Sequence, residues 1–89
     1  MGANNMRQGD ISKEEHAMTA AEKTIKFLNA IDRKTFNAIM DNIANHYGIG
    51  RWDAFDEVTD PEAESLLDYV TGPERAATSL LMKRHGITT

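Results

Sequence analysis

Asp32-Arg33-Lys34-Thr35-Phe36-Asn37-Ala38-Ile39-Met40-Asp41-Asn42-Ile43-Ala44-Asn45-His46-Tyr47-Gly48 is the stretch that decides the fold class. Its apolar residues Phe36, Ile39, Met40, Ile43 and Tyr47 recur at i, i+3, i+4, i+7 and i+11, which lines them along one face of a helix. Lys34, Asn37, Asp41, Asn42, Asn45 and His46 fall on the polar face. Asp32 carries the short carboxylate that caps free backbone N–H groups at a helix start. Gly48 tolerates the left-handed backbone that closes a helix. A strand would alternate with a period of two, and no segment of the chain does so.

Toward the N-terminus, Ser12 with Glu15 and Thr19 with Glu22 each form the Ser/Thr-x-x-Glu pattern of a capping box. A first helix is expected from Thr19, with Ser12 as an earlier start, and with Met18, Ala21, Ile25 and Leu28 on its core face. Residues 1–11 have no periodicity and are expected to be a mobile, disordered tail ahead of a single helical domain over 12–89. Toward the C-terminus, Trp52, Phe55 and Val58 mark a short third helix over 51–58, with Trp52 expected to anchor the core. Asp60-Pro61-Glu62 has the form of a helix start. It predicts a fourth helix burying Ala63, Leu66, Leu67 and Val70. Gly72-Pro73 would close that helix and open a fifth, which presents Ala77, Leu80, Leu81 and Met82 before Gly86 stops it. The chain is thus all-α, a compact bundle or orthogonal array of about five short helices, because short connections keep consecutive helices in contact.

The 89 residues contain no cysteine, which excludes disulfides, thiolate metal sites and a cysteine nucleophile. A domain this small buries a modest fraction of its surface, which leaves a homodimer open. Mean hydropathy is -0.51, and no apolar run reaches the roughly 20 residues of a membrane span. Met1–His16 lacks the apolar core of a secretory signal, so the cytoplasm is the expected compartment. His16, His46 and His85 lie on three different segments without metal-ligand spacing. Asp53-Ala54-Phe55-Asp56-Glu57 lacks the glycine and ligand order of a calcium loop. Gly48-Ile49-Gly50 has neither a dinucleotide fingerprint nor a phosphate loop. No cofactor, metal or catalytic constellation is expected, and the chain is read as non-enzymatic.

Two features point to a macromolecular partner. In Ile43–Val58, Ala44 precedes the turn glycine Gly48 by four positions and Ile49 follows it. This spacing resembles the DNA-binding helix-turn-helix, in which a small residue lets two helices cross closely and glycine permits the turn. The resemblance covers about 20 residues. It implies phosphate contacts from Arg33, Lys34 and Arg51. The helix that would enter the groove nevertheless carries Asp53, Asp56 and Glu57, and phosphate binding needs cations, so nucleic acid is disfavoured.

The second feature is charge. From Trp52 to Glu74 there are eight acids and no Lys or Arg, a formal -8 in 23 residues, while the rest of the chain is +4. Asp60, Glu62 and Glu74 are explained by helix starts, where negative charge is favourable. Asp53, Asp56, Glu57, Glu64 and Asp68 have no such reason. A solvated face that confers solubility is the plain reading. The sharper one is a docking surface for a basic protein, since a field of one sign steers an oppositely charged partner. The chain is accordingly expected to be a regulatory or adaptor-type protein that binds a basic protein partner through this acidic face.

Overall fold

The computed structural model describes residues 18–87. The expected tail over 1–11, the Ser12–Glu15 capping box and His16 lie outside the described residues. Four α-helices follow one another: α1 (Ala20–Ala30), α2 (Arg33–Tyr47), α3 (Arg51–Thr59) and α4 (Gly72–Arg84), with a single 3-10 turn at Leu66–Asp68 between α3 and α4. The described residues contain no strand.

The caps form where the local chemistry requires them. Thr19 and Glu22 close a reciprocal capping box at the start of α1, with hydrogen bonds of 2.9 and 3.1 Å. Asp32 Oδ1 accepts the Thr35 N–H at 2.8 Å at the start of α2. Gly48 takes φ +68, and the Ala44 carbonyl accepts both the Gly48 and the Ile49 N–H, which ends α2. At the end of α4, the Gly86 N–H donates to the Lys83 carbonyl and the Ile87 N–H to the Met82 carbonyl, a Schellman closure that buries Ile87.

One core joins the helices. α2 packs along α3, α1 crosses α3, and the 3-10 turn lies between α1 and α4. Phe27, Ile39, Met40, Ile43, Val58 and Leu66 are among its fully buried members. Burial of each large side chain contributes about 1.5–3 kcal/mol.

The expected fourth helix does not form, so the described residues hold four α-helices and a 3-10 turn. The Asp-Pro signal is used for a turn instead. Asp60 Oδ1 accepts the Glu62 N–H and the Asp60 carbonyl accepts the Ala63 N–H, both at 2.8 Å. An Asp side chain that bonds two residues ahead competes with the helix it could cap. Leu66 and Val70 are buried as expected, while Leu67 and Ala63 are partly buried.

Several buried faces also differ from expectation. Trp52 is 57% exposed and does not anchor the core. α3 buries Ala54 and Val58, and at 100° per residue Trp52 lies on the side opposite Ala54. In α1 the buried residues are Ala21, Thr24, Phe27 and Leu28, leaving Ile25 exposed, because the face turns to enclose the large Phe27 ring. In α4, Thr78 and Met82 face the core while Ala77 and Leu80 face solvent. At the two ends of α4, Asn42 holds Thr71 and Ile87 is buried. Tyr47, expected at the end of the α2 stripe, is half exposed.

Candidate functional site

All five acids expected to form the site, Asp53, Asp56, Glu57, Glu64 and Asp68, are exposed. Among the described residues the ion pair lies elsewhere, between Arg51 and Asp41. The acids follow the chain from α3 into the segment beyond it. Asp53, Asp56 and Glu57 are spaced i, i+3 and i+4 on one side of α3. Glu57 shares a pocket wall with Tyr69, whose hydroxyl accepts the Glu64 N–H at 3.3 Å. Asp68 precedes Tyr69 directly. Glu57 and the backbone of Glu64 are thus placed beside one aromatic residue.

Helix position sorts these acids. Asp53 stands in the first turn of α3, where the positive end of the helix favours a carboxylate. Asp56 and Glu57 occupy the last turn, which has no basic residue, and there the same dipole opposes negative charge. Glu62 belongs to a turn and has no helix start to stabilise. No three His, Asp or Glu side chains among the described residues converge as a metal site would require. The acids are spread over a surface.

The three cations linked to the helix-turn-helix resemblance are placed differently. Arg51 donates through Nε and Nη2 to the two Asp41 oxygens at 2.8 and 3.0 Å, a bidentate pair bridging α2 and α3. This contact holds the Asp41 carboxyl below its ordinary range and raises Arg51, the hydrogen bond being the main cause. The Arg33 guanidinium carbon lies 5.9 Å from the Phe36 ring centroid, within cation–π reach. Lys34 is exposed. Ala44 is buried, while Ile49 is 37% exposed.

Two aromatic recesses flank the acids, and neither was expected. In one, Trp52 lies against Phe36 and Phe55, with ring centroids 5.8 and 5.9 Å away, beside an open groove of about 310 Å³ also lined by Leu28, Ile31 and Arg33. In the other, Tyr47 and Tyr69 flank a recess of about 260 Å³ with Glu57, Ile43 and Ile49. Periodicity assigns Tyr47 and Trp52 to the core because it counts apolar character and not where neighbouring helices end. One local signal is present for Tyr47: it is the last residue of α2, directly before the glycine that ends the helix.

No protein-family model matches the chain, and no curated protein or solved structure is similar to it. Among the described residues, no helix is long and apolar enough to cross a membrane.

Proposed function

We propose that the protein is a non-enzymatic, cytoplasmic adaptor or regulator that binds a basic protein through the face bearing Asp53, Asp56, Glu57, Glu64 and Asp68. One observation carries this reading: Asp56 and Glu57 stand exposed at the helix end where the dipole opposes them. Carboxylates placed against local stability are accounted for by a partner that supplies the missing positive charge. Exposed Trp52 beside them adds the kind of residue that dominates binding energy at protein interfaces. Recognition of duplex DNA through α3 is less well supported, since Arg51 is committed to Asp41 and the exposed side of α3 is acidic.

The test compares the full chain with the variant Asp56→Lys, Glu64→Lys, Asp68→Lys in pull-downs from native lysate at about 50 and about 300 mM salt, between which screening of exposed charges increases strongly. The expected result is a basic protein retained at low salt, released at high salt and missed by the variant, with helical circular dichroism unchanged. Equal capture by the variant, or recovery of nucleic acid in place of protein, overturns the reading.

A further inference from the structure

The recess between Tyr47 and Tyr69 has the chemistry of a socket for one organic cation. Its lining consists of Ile43, Tyr47, Ile49, Glu57 and Tyr69, two phenol rings and three other side chains of which Glu57 alone is a carboxylate. The ring centroids are 6.2 Å apart with planes at 59°, so the rings present two walls at an angle. Each ring has one further contact. The His46 ring stands edge-on to Tyr47 at 4.8 Å, and the Glu64 N–H donates to the Tyr69 hydroxyl. Buried Ile43 provides an apolar side.

Three electrostatic contributions there have the same sign. The Glu57 carboxylate is negative, the faces of the tyrosine rings attract cations, and the recess lies at the last turn of α2, the negative end of that helix. Lys and Arg are absent from the lining and from residues 52–74, so this acidic part of the chain supplies no cation of its own. Ile49, 37% exposed, offers apolar contact to a methylene stem.

We infer that the recess receives a single arginine side chain of the basic partner, with its guanidinium stacked on a tyrosine ring and forked onto Glu57, and its methylenes against exposed Ile49. Arginine is the matching chemistry because its planar group can stack and pair with a carboxylate at once, whereas a lysine ammonium is a compact, strongly hydrated point charge. The inference rests on the acidic-face reading and assigns that face its anchor.

The experiment titrates the full chain with N-acetyl-arginine amide, N-acetyl-lysine amide and N-acetyl-norleucine amide, following the tyrosine ring resonances by NMR. Saturable shifts of Tyr47 and Tyr69 are expected with the arginine compound, with affinity at least about fivefold above the lysine compound and no saturation with norleucine. Glu57→Gln should weaken the arginine compound about tenfold, the loss of a charge-assisted pair. Because Glu57 is exposed, this variant retains the fold, which circular dichroism checks. Unmoved tyrosine resonances, equal affinity for the arginine and norleucine compounds, or unchanged binding by Glu57→Gln overturns the inference. A hexa-arginine peptide separates it from the face reading. Salt-sensitive peptide binding that is lost in the Asp56, Glu64, Asp68 variant but indifferent to Glu57→Gln and Tyr47→Leu keeps the face and rejects the socket.

Discussion

Asn42 joins two helices with one side chain. Its Oδ1 accepts the Thr71 N–H at 3.0 Å and its Nδ2 donates to the Thr71 carbonyl at 3.3 Å, so a side-chain amide pairs with a backbone much as a neighbouring strand would. Thr71 is the N-cap residue of α4, and no side chain of its own caps that helix, so Asn42 fixes where α4 begins. Replacing Asn42 with Ala leaves a partly buried N–H without its partner. Chemical denaturation should show Asn42→Ala losing about 1–2 kcal/mol of stability, more than an exposed polar residue on the same helix would cost. From sequence alone Asn42 counts only as one of the polar residues of α2. Its partner is 29 residues away, a distance no local pattern spans.

Among the elements, the α2–α3 connection was the most legible. Asp32 begins α2 and Gly48 ends it, both from local chemistry, and α3 starts at Arg51 without a side-chain cap. At Gly48 a Cβ would meet no atom within 4 Å, so any cost of replacing it comes from φ +68 alone. Gly48→Ala should therefore lower stability by about 1–2 kcal/mol, with Gly48→Asn costing less, since Asn adopts the left-handed conformation more readily. Thermal melts of the two variants make the comparison. The segment after Asp60 was the least legible. Asp-Pro-Glu signals a helix start and also fits a turn, and the structure uses it for the turn, which carries the chain to Leu66 between α1 and α4. That choice sets the candidate site, because Glu64 and Tyr69 then lie on an irregular segment and not along one helix face.

At the scale of the whole molecule, the Asp41–Arg51 ion pair stands apart from the exposed acids among the described residues, and acid pH separates the two. Hydrogen bonds to Thr35 and to Arg51 hold the Asp32 and Asp41 carboxyls below their ordinary range. A carboxyl lowered in the native state contributes stability that is fully present above its unfolded value, about 4, and is lost as pH falls through the lower native value. Thermal stability should therefore lose the Asp41 contribution below about pH 4 and keep it from about pH 5 to 7. Asp41→Asn should lower the melting temperature at neutral pH and converge on the parent chain in acid. Neutralising the exposed acids relieves their mutual repulsion over the same range with opposite sign, so parent and variant are compared at each pH. A gap that persists unchanged at pH 2 would show that Asp41 acts through packing and not through its charge.

The sequence by itself determined the all-α class, the starts of α1 and α2, the glycine closures at Gly48 and Gly86, and the chemical character of the acid-rich stretch. These depend on interactions within a few residues, which a linear pattern records. The tertiary structure alone decided which side of each helix was buried, that residues 60–65 would turn, and that Tyr47, Glu57 and Tyr69 would meet around one recess. Helix periodicity defines a stripe only to within a neighbouring residue. Its final rotation comes from fitting Phe27, Ala54 and Met82 into one core, and that fit placed Trp52 and Tyr47 at the surface beside the acids.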